Sequence, residues 1–151
     1  MEGSLALVGS GEYLPAMTAF EKSLLDDGNT NGKAAHYIQI PTAAGRESDD
    51  RLAYWKELGQ RQADAIGVKA TFLPIFTRED AFKQEHVDAI SNSALMYMSG
   101  GDPHYLAEVL IDTPVWAAMV ANWQSGASLA GCSAGAMVLS GQIPNFRLLN
   151  R

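Results

Sequence analysis

Residues 131–135 read Gly-Cys-Ser-Ala-Gly, a G-x-S-x-G pattern with Ser133 at its centre. Such a serine sits at a corner between a strand and a helix. The corner is tight and its backbone strained, so only small residues fit beside it. It lifts the hydroxyl above the sheet. It also aims the next amide, that of Ala134, at a point where a carbonyl oxygen could gather negative charge. The chemistry of that arrangement is nucleophilic acyl transfer, with Ser133 as the nucleophile. A second oxyanion donor is expected from Ser99-Gly100-Gly101-Asp102. Paired glycines let a backbone N–H approach a bound atom with no Cβ in the way, and Gly101 is assigned that role. Asp102 followed by Pro103 also reads as a helix N-cap and first turn, which is compatible with it. Gly100, Asp102 and Arg46 complete the candidate substrate-binding set. Arg46 is either a guanidinium that grips a substrate carboxylate or a solvated loop side chain.

A serine nucleophile needs a base, and all three histidines precede Ser133. His36 opens the second apolar run, at the opposite rim. His86 lies mid-helix, one turn after Phe82, as a boundary residue. His104 alone falls at the functional rim and is the candidate base, although nothing in the sequence turns its ring toward Ser133. Cys132, one residue before the corner, points back into the core. It reads as a buried structural thiol, not a rival nucleophile.

No metal or cofactor is expected. The histidines and the single cysteine show no ligand spacing. Gly9-Ser10-Gly11 raises a dinucleotide fingerprint, but its third glycine would fall at Leu14, and the second strand ends in Ile40-Pro41 with no acidic residue for a ribose. No G-K-[ST] triplet occurs, so there is no phosphate-binding loop of that kind.

These residues must be positioned by something regular. Short apolar runs at Leu5–Val8, 37–40, 68–73, 94–98 and 127–132 predict five strands. Helical patterns fall between them, at 14–27, 47–66 and after Asp102 and Thr113. Thr77 and Asp80 form a capping-box-like start for another helix, and a last helix runs over Ala134–Ser140. The segment 28–33 reads as a polar loop. Alternation of this kind predicts a doubly wound α/β fold, a mainly parallel sheet with helices on both faces. Functional loops of such sheets lie beyond the carboxyl ends of the strands. Four unusual loops converge there: 9–12, 41–45, 99–102 and 131–135.

The totals bound the partners. At 151 residues with 47% hydrophobic and 19% charged residues, the chain is expected to form one globular α/β domain over 1–151. A net charge of -6 with no basic run argues against nucleic acid and anionic membrane. A lone cysteine, no signal-like amino terminus and no long apolar stretch are read as cytoplasmic.

With these residues in view, the chain resembles the dipeptidase E and cyanophycinase family of serine peptidases, whose fold is that of class I glutamine amidotransferases (flavodoxin-like). The resemblance rests on the G-x-G loop, PTAAG (41–45), GGDPHYL (100–106) and GCSAGAM (131–137), which run in the family's order over nearly all of the chain. It implies Ser133 as nucleophile, the Gly101 and Ala134 amides as the oxyanion hole, and small aspartyl peptides as substrates. Pro103, where cyanophycinases carry a glutamine nearby to grip substrate, favours the dipeptidase branch.

The departure is the base. Members of that family continue past the corner to a catalytic histidine and its carboxylate partner, and after Ser140 this sequence offers no complete strand–helix unit. The expectation is a serine peptidase that is incomplete or very weak as this chain. The alternative is a catalytically inactive binding module that keeps the rim pocket. An α/β-hydrolase esterase shares G-x-S-x-G but lacks support in an HGGG-type loop. An uncovered sheet edge and apolar face are expected to be relieved by homodimer formation.

Overall fold

The computed structural model describes residues 1–143; the segment after Ser140 lies mostly outside the described residues. Five strands form one sheet: β1 (Leu5–Val8), β2 (Ala34–Ile40), β3 (Lys69–Phe72), β4 (Ser93–Met98) and β5 (Ser128–Cys132). Their order is β1-β5-β4-β2-β3 and every pairing is parallel. The helices are α1 (Thr18–Thr30), α2 (Asp49–Ile66), α3 (Gln84–Ile90), α4 (Pro103–Leu110), α5 (Pro114–Gln124) and α6 (Ala134–Ser140). None among the described residues is long and apolar enough to cross a membrane.

Local chemistry explains most boundaries. Ser48 caps α2 by accepting the Arg51 N–H, and Asp49 and Asp50 put negative charge on its first turn. The helix ends at Gly67, with φ of 85°. Thr113 caps α5 ahead of Pro114, and Asp102 caps α4 ahead of Pro103. β4 is buried along its whole length because helices cover both of its faces, which is why it reads as a continuous apolar run.

Two expectations need correction. The segment 28–33 is not all loop, because α1 continues through Thr30. Gly28 is there for packing: a Cβ would stand 2.1 Å from the Ala94 carbonyl oxygen of β4. The Thr77–Asp80 box opens a 3-10 turn over Glu79–Phe82, and α3 begins only at Gln84. The Asp80 carboxylate accepts the Phe76 and Thr77 amides, which closes a tight turn and delays the helix.

Two cores lie on the two faces of the sheet. One packs α1 and α2 against Tyr37, Leu95, Tyr97, Ala130 and Cys132. The other packs α3 to α6 against Ile38, Ile40, Met96, Met98 and Leu129. Full burial of each large side chain in these sets stabilises by about 1.5–3 kcal/mol. The helix after β2 covers one face and the helix after β4 covers the other, although β2 and β4 are neighbours. Their loops therefore diverge and leave a crevice at the carboxyl ends of the strands, the topological switch point where such sheets bind ligands.

Candidate active site

Ser133 stands where β5 turns into α6, with φ of 51° and ψ of -108°. Few non-glycine residues adopt that conformation, and holding it costs on the order of 1–3 kcal/mol. The surroundings over-determine it. Gly131 and Gly135 pack face to face, so a Cβ on Gly131 would lie 2.4 Å from the Gly135 carbonyl carbon. A Cβ on Gly135 would lie 2.5 Å from the Met98 oxygen. The Ser133 amide donates to Val8 O at 2.9 Å, which ties the corner to β1. Its side chain is half-buried, does not cap α6 and makes no hydrogen bond to any described residue.

The glycine pair after β4 comes up beside it. A Cβ built on Gly100 would lie 3.5 Å from the Ser133 Cβ and 3.2 Å from Glu12 Oε1. Gly101 has φ of 146° and presses on the 41–45 loop, where a Cβ would stand 2.4 Å from the Ala43 carbonyl. Only glycine fits there. The Asp102 amide donates to that same Ala43 oxygen at 2.9 Å. The Gly101 and Ala134 amides find no acceptor among the described residues.

The remaining sequence-assigned residues divide in two. Asp102 accepts the His104 and Tyr105 amides on Oδ1 and Arg46 on Oδ2, the last at 2.7 Å. These contacts, the Tyr105 amide foremost, hold its carboxyl below the usual range. Arg46 also lies 4.2 Å from the Tyr105 ring centre. Ala43, Arg46, Glu47, Gly101 and Asp102 line an open pocket of about 460 Å³ at the switch point. His104 is exposed in the first turn of α4 and does not hydrogen-bond Ser133. His36 is spoken for by Thr71 Oγ1 on β3, at 2.7 Å, and His86 is buried on α3. Among the described residues no three His, Cys, Asp or Glu side chains cluster as a metal site.

Cys132 is fully buried, as its position implied, and burial followed by the neighbouring Glu12 pushes its thiol up to about 12. Glu12 is the residue that sequence reasoning passed over, beyond placing it on a rim loop. Its Oε1 accepts the Gly100 amide at 2.9 Å and its Oε2 accepts the Cys132 S–H at 2.8 Å. The only available signal was an acidic residue directly after the Gly9-Ser10-Gly11 turn.

This geometry coincides with a family match. The model of peptidase family S51 matches residues 5–147. The chain belongs to peptidase family S51. A peptidase from an acI-B1 actinobacterium, known from its crystal structure, is 62% identical, covers 98% of this chain and superposes with a TM-score of 0.96. A protein described as a candidate peptidase E from Listeria monocytogenes EGD-e is 21% identical over 91% of this chain, with a TM-score of 0.66 that shows a shared fold. The chain spans 61% and 62% of the length of these two proteins. No curated protein matches it.

Proposed function

We propose that this chain is the serine-bearing part of a peptidase that cleaves small aspartyl peptides, with Ser133 as nucleophile. One observation carries the reading: Ser133 is held at a strained corner, its hydroxyl unbonded among the described residues, next to Gly100. In the reaction the Ser133 oxygen adds to the scissile carbonyl carbon and loses its proton to a base. The carbonyl oxygen becomes an oxyanion received by the Gly101 and Ala134 amides. The C–N bond then breaks and the amine leaves with a proton. Water completes the cycle by releasing the acyl group. His104 is the candidate base within this chain.

The pocket supports an acidic substrate. Arg46 is paired with Asp102 while both remain substantially exposed. Exposed pairs contribute at most about 1 kcal/mol, so an incoming carboxylate can take the place of Asp102 at the guanidinium. The proposed ligand is therefore a small acidic peptide; a second copy of the chain is proposed separately, from the β1 edge that is unpaired among the described residues.

A fluorophosphonate probe tests the nucleophile. The adduct is expected on Ser133 by mass spectrometry, and Ser133→Ala should abolish it. Arg46→Ala should weaken binding of an aspartyl dipeptide; unchanged binding would remove Arg46 from the site. The second reading, a binding module without catalysis, is favoured by the absence of any base bonded to Ser133 among the described residues. It predicts peptide binding with no adduct.

A further inference from the structure

Glu12 is only 9% exposed, and among the described residues no cation pairs with it. Burying an unpaired carboxylate is unfavourable. Its position is nevertheless enforced. Gly11 and Tyr13, on either side, have φ of 90° and 65°, so the chain turns sharply and drives the side chain inward. The strain at Tyr13 is held by its ring, 5.4 Å from that of Tyr97, and by its amide, which donates to Glu21 Oε2 at 3.1 Å. A buried acidic side chain delivered by a strained turn at the rim of a site calls for a functional account.

The backbone supplies it. Three consecutive amides, those of Gly100, Gly101 and Asp102, follow β4, and a Cβ built on the first of these residues would lie 3.5 Å from the Ser133 Cβ. The first is taken by Glu12 Oε1 and the third by Ala43 O. The middle one has no acceptor among the described residues. We propose that Glu12 is a positioning residue, which anchors the Gly100 amide on one oxygen and the Cys132 thiol on the other and so presents the Gly101 N–H to the oxyanion formed at Ser133. The assignment rests on the reading of Ser133 as nucleophile. Both partners of Glu12 are donors, so a carboxylate suits both oxygens and an amide does not. Cys132 serves as a donor only while it stays a thiol, and burial keeps it one. Glu12 touches neither substrate nor the reacting atoms in this role. It acts through the peptide chain it holds.

The test compares wild type, Glu12→Gln, Glu12→Asp and Cys132→Ala. Folding is checked by circular dichroism and melting. Fluorophosphonate labelling of Ser133 is followed over a range of probe concentrations. The limiting rate should fall at least about tenfold in Glu12→Gln, since an oxyanion donor is worth more than that, with the half-saturating probe concentration unchanged. The Gly100 amide should lose hydrogen-exchange protection in the same variant. Glu12→Asp keeps the charge but loses a methylene of reach. It should also label slowly, and it carries the test if the glutamine variant does not fold. Cys132→Ala removes one of the two donors that hold Glu12 while leaving the Gly100 contact in place, and should label more slowly than wild type but faster than Glu12→Gln. Wild-type labelling in a folded Glu12 variant overturns the positioning role alone, as does a Cys132→Ala variant as slow as Glu12→Gln. A wild type with no adduct on Ser133 overturns the nucleophile and the positioning role together.

Discussion

Ser133, the proposed nucleophile, occupies its corner at the expense of stability. With φ of 51° and ψ of -108°, it sits where glycine is at ease and serine is not. The three contacts that keep it there, Gly131 on Gly135, Gly135 on Met98 and the Ser133 amide on Val8, involve backbone or glycine and survive its replacement. Ser133→Gly should therefore relieve strain without moving the corner. The expected gain is about 1 kcal/mol, read as a Tm raised by roughly 2–4 °C for a domain of this size, together with complete loss of the fluorophosphonate adduct. Such an exchange of stability for function is common at active sites. A variant that melts at or below the wild-type temperature would show that the corner stores no strain.

At the scale of elements, Glu21 on α1 joins the helix to the turn that carries Glu12. It is fully buried and accepts the Tyr13 amide, the Tyr37 hydroxyl and the Gln62 amide group, the last at 3.0 Å. Burial nevertheless dominates and raises its carboxyl from the ordinary 4.5. The folded chain then holds the Glu21 proton more tightly than the unfolded chain does. Its contribution to stability is complete below the unfolded value and is lost as pH rises through the folded one. Glu21→Gln has no such titration. Urea unfolding of both proteins from the carboxylate range up to neutrality should show wild type losing ground steadily to the variant. Parallel curves would mean that folding leaves the proton affinity of Glu21 unchanged. This network also marks where sequence reading stops. β1 and α6 were legible to the residue because an apolar run ends at a glycine or a small-residue corner. β2 starts at Ala34, ahead of its apolar run, because its first residues are small or polar and its register with β4 shifts between Ala34 and Tyr37. The 3-10 turn at Pro15–Met17, where a helix from residue 14 was expected, comes from a proline that starts a turn without continuing it. The corner at Ser133, the glycine turn at Gly100-Gly101 and the Asp102 helix cap were legible as local structure. Glu12 was not, since its partners lie 88 and 120 residues away, beyond any periodicity or spacing rule.

At the scale of the whole molecule, one sheet edge remains to be explained. β1 has β5 on one side and no strand on the other among the described residues. Leu5 and Leu7 on it are 46% and 50% exposed. Leu5 aligns with Leu129, which belongs to the core shared with α3 to α6, so both leucines lie at the margin of that face. The same face carries an apolar groove of about 270 Å³, lined by Leu110, Ile111, Trp116, Val138 and Ile143 among others. An unpaired strand with exposed leucines is a template for pairing, and exposed apolar surface favours association. Two copies related by a twofold axis would set β1 antiparallel to β1 and join two five-stranded sheets. Sedimentation should then give twice the 16.2 kDa of one chain. Because each chain carries a net charge of -6, added salt should tighten the dimer by screening repulsion. Leu7→Lys places a charge on the edge, a common device against pairing. Burying the exposed half of Leu7 is worth about 1 kcal/mol, and the residue enters the interface twice, so the variant should weaken the dimer at least about tenfold with its circular dichroism unchanged. A wild type that sediments as a single chain at every concentration and salt would show that this edge does not drive self-association.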